Sequence, residues 1–141
     1  MTFWDTSALV RCYEGNQPVN LRAKNLLLER KRRFGSALVR LEAISAICRR
    51  FGPNKAQRSS LLALLEEHLK HFSLSPVDER VLSRAELLVD RYALRAGDAL
   101  HLSAASLLAK ELDRRQLRFV TADEEQLAAA KAEGLKVIDL G

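Results

Sequence analysis

In TFWDTSAL, residues 2–9, a short apolar run leads directly into an acid, two hydroxyls and the start of a helix. The apolar part predicts a buried strand with Trp4 in the core, and Thr6 or Ser7 predicts the cap of a following helix. A strand that runs directly into a helix places Asp5 at the carboxyl edge of a parallel sheet, which is the edge where ligands bind in open α/β folds. We therefore expect the functional site at this junction.

Further strands and helices alternate along the rest of the chain. The predicted strands after the first cover residues 34–37, 71–74, 118–121 and 136–139. The first predicted helices cover residues 6–13 and 19–32, and two more lie on either side of a break at Gly52, from residue 38 to the break and from the break to 70. The later ones cover residues 75–92 with Ser75 as N-cap, 98–112, and the stretch from the capping box at 121–124 to about 133. Strands that alternate with helices in this way predict an α/β fold with a parallel sheet covered on both faces.

Length and composition favour one domain over residues 1–141, which is long enough to bury a core. We see no membrane-spanning run and no secretory signal, so we expect a cytoplasmic protein. Cys12 and Cys48 lack metal-ligand spacing and are expected to be free thiols. The net charge of +5, from 23 basic and 18 acidic residues, mildly favours a polyanionic partner.

Four acids are assigned to successive strand-to-helix junctions: Asp5, Glu42, Asp98 and Asp123. Clustered carboxylates raise each other's pKa, and a bound cation reverses that effect. Magnesium and manganese prefer such oxygen ligands, and hydrolysis of a phosphodiester needs a metal to activate water. Together the four acids predict a divalent metal site.

Each acid also has an ordinary structural explanation. Asp5, Asp98 and Asp123 could cap or stabilise the first turns of their helices. Glu42 could be a solvated residue on a helix surface. Only the combination of four such positions favours a metal site.

Four segments carry a family resemblance: WDTSAL at 4–9, SALVRLE at 36–42, LRAGDALHL at 94–102 and FVTAD at 119–123. Their order and spacing resemble those of PIN-domain ribonucleases, specifically the VapC-type toxins of type II toxin–antitoxin modules. No single segment is specific, since Asp-Thr-Ser is a common sequence. The combination spans nearly the whole chain.

The resemblance implies a single PIN domain with a five-stranded parallel sheet in the order 3-2-1-4-5. It also implies an endoribonuclease dependent on Mg²⁺ or Mn²⁺, in which a metal-activated water leaves a 5′-phosphate and a 3′-hydroxyl. The family's catalytic acids fall on Asp5, Glu42, Asp98 and Asp123. Asp5 and Asp98 would be the direct metal ligands, and the other two would complete the pocket.

The implied partners are an RNA substrate and a cognate VapB-like antitoxin, and the protein would be a homodimer. Thr6 matches the family's hydroxyl beside the first acid, although it could equally cap its helix. Thr121 could support the site, but its spacing favours a capping box.

Other polar residues are interpreted more plainly. His101 is expected to pack within a mostly apolar helix, with RNA contact or proton transfer as the alternative. The basic run 30–33 is predicted to close the second helix, and Arg32 and Arg33 in it are possible RNA contacts.

Alternative functions use the same fold. They are a PIN-fold nuclease of ordinary RNA maturation and a non-catalytic module that binds RNA or a partner. A receiver-like phosphoacceptor domain fits poorly, because the third strand ends without an acceptor aspartate and the last strand ends without a lysine.

Overall fold

The computed structural model describes residues 1–141 and has a parallel sheet at its centre. Its strands are β1 Thr2–Trp4, β2 Arg33–Ser36, β3 Phe72–Ser75, β4 Arg118–Thr121 and β5 Lys136–Asp139. The five strands lie in the order β3-β2-β1-β4-β5, and every neighbouring pair is parallel. The predicted α/β class and strand order are confirmed.

Seven helices surround the sheet. They are α1 Thr6–Val10, which continues into a 3₁₀ turn at Arg11–Tyr13, α2 Pro18–Leu28, α3 Leu38–Phe51, α4 Lys55–Leu69, α5 Glu79–Tyr92, α6 Ala96–Glu111 and α7 Glu124–Ala132. None of them is long and apolar enough to cross a membrane.

The two faces of the sheet carry separate cores because side chains alternate along each strand. Phe3 and Phe119 point to one face, where their rings stack with centroids 6.0 Å apart and pack with residues of α5, α6 and α7. Trp4 and Val120 point to the other face and pack with residues of α1 to α4. Helices therefore cover both faces, as predicted, and Trp4 is fully buried.

Helix α2 ends earlier than predicted. It stops at Leu28 because Glu29 is extended, so the basic run 30–33 leads into β2 instead of closing the helix. The guanidinium of Arg33 nevertheless donates to the carbonyls of Leu27 at 2.7 Å and Glu29 at 3.2 Å. These bonds satisfy carbonyls that the end of a helix leaves without partners.

Helix α5 begins later than predicted. Ser75 is not its N-cap, because Ser75 pairs with Ser36 in the sheet. The cap is Asp78, whose carboxylate accepts a hydrogen bond from the amide of Val81 at 3.0 Å. Sheet pairing therefore overrides the local Ser-Pro signal.

Several apolar residues that recur at helical spacing are exposed. Leu41 is 65% exposed, because α3 buries Val39, Ala43 and Ile47 instead. Leu64, Leu82 and Val89 on other helices are likewise 44%, 45% and 39% exposed. Periodicity finds such a stripe but does not fix its rotation to within one residue.

Candidate functional site

Asp5 directly follows β1 and is the N-cap of α1, so the prediction that Thr6 or Ser7 caps this helix is wrong. Its Oδ1 accepts a hydrogen bond from the amide of Ala8 at 2.9 Å, and its Oδ2 accepts one from Oγ1 of Thr121 at 2.8 Å. The hydroxyl of Ser7 lies 2.9 Å from both carboxylate oxygens. The side chain is therefore held by the first turn of α1 and by the end of β4, and the residue is only 1% exposed.

Burial raises the pKa of Asp5 from 3.8 to about 6. The hydrogen bonds from Ala8, Thr121 and Ser7 and the nearby His101 oppose this rise without cancelling it. The charged form of this carboxylate is thus costly in the protein alone, and a cation would offset that cost.

Thr121 and Ser7 form a hydroxyl bridge between β1 and β4. Thr121 is fully buried, and its Oγ1 also accepts a hydrogen bond from the amide of Asp123 at 3.1 Å. Ser7 accepts one from the amide of Ala122 at 2.9 Å. The capping-box spacing predicts Thr121 as the cap of α7, but the N-cap is Asp123, which accepts a hydrogen bond from the amide of Gln126 at 2.8 Å. Ser7 was assigned no site role from the sequence.

Glu42 lies in the second turn of α3 and meets two polar side chains. The hydroxyl of Thr6 donates to its Oε1 at 2.7 Å, and Nε2 of His101 lies 2.5 Å from the same oxygen. The hydrogen bond from His101 lowers the pKa of Glu42. Burial raises this pKa in part, and the hydrogen bond from Thr6 lowers it further. His101 is buried, as expected, but it is also bonded to a site acid, which its position on an apolar helix did not indicate.

Asp98 lies in the first turn of α6 and is half-buried. Burial raises its pKa, and the charges of Asp123 and Glu42 raise it further, while His101 and Arg95 oppose them. No hydrogen bond to the carboxylate contributes. Asp98 therefore does not cap its helix by hydrogen bonding, and it is the member of the group with an unused carboxylate.

The prediction that all four acids follow strands is wrong for Asp98. Helix α6 follows α5 through residues 93–95, and Ala93 takes a left-handed conformation with φ of 53° that ends α5. This turn brings the start of α6 to the carboxyl edge of the sheet. The buried side chain of Gln126 holds it there by donating to the backbone carbonyl of Asp98 at 3.0 Å.

The four acids share one edge of the sheet. The charges of Glu42 and Asp123 raise the pKa of Asp98, so these three carboxylates lie near one another. The hydroxyl of Thr121 donates a hydrogen bond to Asp5 and accepts one from the amide of Asp123. Carboxylate oxygens such as theirs are the ligands that Mg²⁺ and Mn²⁺ prefer. No three His, Cys, Asp or Glu side chains stand close enough together to hold an ion as they lie.

Comparison with known proteins places this arrangement in a family. The family model described as the PIN domain matches residues 2–133. The chain belongs to the PIN domain family. No curated protein sequence matches it significantly.

Solved structures share the fold of this PIN domain at low sequence identity. FitAcB from Neisseria gonorrhoeae is 19% identical with a TM-score of 0.71, over 99% of this chain and 98% of that chain. A toxin–antitoxin complex from Klebsiella pneumoniae is 16% identical with a TM-score of 0.67, over 100% and 98%. PAE2754 from Pyrobaculum aerophilum is 20% identical with a TM-score of 0.69, over 99% and 88%.

Two other features of this PIN domain lie away from the acids. Arg32 and Arg33 are at the amino end of β2, the opposite edge of the sheet, where Arg32 stacks on Phe34 at 5.1 Å. Their contact with RNA stays a prediction. The largest cavity, about 630 Å³, is lined by residues of α2, α3 and α4 and of the turn after α1, and it contains none of the four acids.

Proposed function

We propose that this PIN domain is an endoribonuclease that depends on Mg²⁺ or Mn²⁺ and acts as the toxin of a toxin–antitoxin module. The observation that carries the proposal is the half-buried Asp98 carboxylate, which has no hydrogen bond and lies near the charges of Asp123 and Glu42. Such an arrangement is unfavourable for the protein alone and favourable around a cation. Membership in a family of nucleases supports the same conclusion.

Asp5 and Asp98 would hold the cation, with Glu42 and Asp123 completing the pocket. When bound, the cation would activate water and neutralise charge that develops on the phosphate. Because no three of these side chains are close enough now, binding would include a small rearrangement of the carboxylates.

The chain's own polar residues prepare the acids for this role. Ser7 and Thr121 fix Asp5 between β1 and β4. The positive charge of Arg95 is close enough to lower the pKa of Asp98. Arg95 would therefore attract an RNA phosphate that enters the site.

The toxin assignment draws on the solved structures with this fold, which include VapBC from Salmonella typhimurium and the complex from Klebsiella pneumoniae. We propose a homodimer bound to a VapB-like antitoxin. The C-terminal segment of that antitoxin would fill the acidic groove with an Arg or Lys near the carboxylates. Expression alone should then inhibit growth, and co-expression with the antitoxin gene should relieve the inhibition. Unimpaired growth with abundant soluble protein would overturn the toxin assignment but not the fold.

The enzymatic part of the proposal is tested with purified protein and a structured RNA pool. We expect cleavage with Mg²⁺ or Mn²⁺, loss of cleavage with a chelator, and 5′-phosphate ends on the products. RNA binding without cleavage at any divalent metal concentration would favour the non-catalytic binding module instead.

A further inference from the structure

His101 is a fully buried polar side chain on α6, one turn after Asp98. It is 1% exposed, and its Nδ1 has no hydrogen-bond partner. Its only polar contacts are made by Nε2, which lies 2.5 Å from Oε1 of Glu42 and 3.1 Å from Oγ1 of Thr6. Burying an imidazole is costly unless its polar atoms are hydrogen-bonded, and here only Nε2 is bonded. The contacts of Nε2 with Glu42 and Thr6 are therefore the polar interactions that hold the ring in place.

The hydrogens at this contact can be assigned from the chemistry of the groups. An ionised carboxylate only accepts hydrogen bonds, and the Thr6 hydroxyl donates to Oε1 of Glu42 at 2.7 Å. The hydrogen of His101 must therefore lie on Nε2 and point at the same oxygen. Donors from α1 and α6 thus converge on one oxygen of a residue in α3.

The other oxygen of Glu42 is placed by a glycine. A Cβ atom on Gly97 would lie 2.8 Å from Oε2 of Glu42, which is closer than non-bonded atoms normally approach. Because Gly97, which immediately precedes Asp98, has no side chain, Oε2 of Glu42 has room to lie beside it.

We propose that His101 is a positioning residue: by binding Oε1 of Glu42, it holds Oε2 at the start of α6, where Glu42 completes the pocket of the divalent cation. This inference rests on the proposed function, since it names how one acid of that site is oriented. Loss of a partner that orients a metal-site carboxylate or imidazole typically costs about 10- to 100-fold in metal affinity or activity.

The first test measures Mn²⁺ affinity by calorimetry without RNA. His101→Leu removes the donor and should weaken binding about 10- to 100-fold. His101→Gln keeps an N–H at the position of Nε2 and should bind Mn²⁺ nearly as wild type does. Ser103→Ala is the matched control, because it removes another buried hydrogen bond of α6, the 2.7 Å bond to the carbonyl of Val81. It should leave Mn²⁺ affinity unchanged.

The outcomes separate this inference from the function on which it rests. Wild-type affinity in His101→Leu, or equal losses in the Leu and Gln variants, would overturn the positioning role while leaving the metal site. No Mn²⁺ binding by the wild type would overturn both.

A second variant covers the case in which His101→Leu does not fold. Gly97→Ala should be tolerated by the fold, because alanine favours a helix over glycine, but its Cβ would displace Oε2. We expect unchanged or higher thermal stability without metal, together with weaker Mn²⁺ binding. Wild-type Mn²⁺ affinity in this variant would contradict the proposed placement of Oε2.

Discussion

Thr121 donates a 2.8 Å hydrogen bond to the buried carboxylate of Asp5 and thereby joins the carboxyl ends of β4 and β1. Both residues are almost fully buried, so this contact is shielded from water. The hydrogen bond fixes the position of Asp5, which directly follows the central strand β1, relative to the start of α7. The contact makes Thr121 a part of the site as well as of the fold.

Replacing Thr121 by Val removes the hydroxyl with little change of shape. We expect a loss of about 1–2 kcal/mol in the free energy of unfolding and a further rise in the pKa of Asp5, because a bond to the charged carboxylate is lost. Thr121→Ser keeps the hydroxyl and should leave that pKa nearly unchanged. Carbon NMR of labelled aspartate carboxyl groups measures it, and equal pKa values in all three proteins would contradict the assigned bond.

Asp5→Asn should change how stability depends on pH in the presence of a chelator. The folded pKa of Asp5, about 6, lies above its ordinary value of 3.8, so folding takes up a proton between these values. The wild type therefore loses stability as the pH rises through this window, and the variant lacks that loss. We therefore expect the free energy of unfolding of Asp5→Asn, measured relative to that of the wild type, to rise by roughly 2–3 kcal/mol between about pH 4 and about pH 7.5.

Urea unfolding of both proteins at several pH values measures this difference. Because all other titrating groups are shared, the difference between the two curves isolates Asp5. A constant difference across the window would show that burial does not shift the pKa of this carboxylate.

Glu133 ties the end of α7 to α5 and offers a test of the fold away from the site. Its side chain is 7% exposed and accepts hydrogen bonds from Arg84 at 3.1 Å, Arg91 at 2.9 Å and Tyr92 at 2.7 Å. Glu133→Gln should lower the free energy of unfolding by about 1–2 kcal/mol.

The control for this variant is Glu111→Gln. Glu111 is 59% exposed and pairs only with Arg80 at 3.6 Å, so its loss should have no measurable effect. Equal urea midpoints for Glu133→Gln and Glu111→Gln would show that the Glu133 cluster does not stabilise the protein.

The strand order was implied by the resemblance to PIN domains, and the role of the four acids stays a prediction. The sequence pattern itself was sufficient to predict the α/β class, because strands that enter helices carry a strong local signal at Asp5 and Asp123. It was insufficient where long-range contacts decide. The role of His101 depends on Glu42, a residue 59 positions away, and the role of Ser7 depends on Thr121, 114 positions away. The position of Asp98 likewise depends on the left-handed turn at Ala93, which is not a glycine and gives no turn signal.

Arg95→Ala should weaken RNA binding and its dependence on salt. Each phosphate contact to single-stranded RNA contributes about 0.7 to the slope of log affinity against log salt, so the slope should fall by about that amount. Arg80→Ala, an equal charge change on α5, should have a smaller effect. Arg32→Ala tests the prediction made from the sequence, and a loss equal to that of Arg95→Ala would show that RNA reaches the opposite edge of the sheet. An unchanged slope in Arg95→Ala would contradict its placement at the RNA path.

The most direct test of the metal-dependent site is the RNA cleavage rate of Asp98→Asn at saturating Mg²⁺. The substitution keeps shape and removes the only one of the four site carboxylates that makes no hydrogen bond, and Asp90→Asn makes the same charge change on the exposed surface of α5. We expect cleavage by Asp98→Asn to fall about 100-fold or more while Asp90→Asn cleaves as the wild type does. Cleavage by folded Asp98→Asn at the wild-type rate would contradict the assignment of these acids to a catalytic metal site.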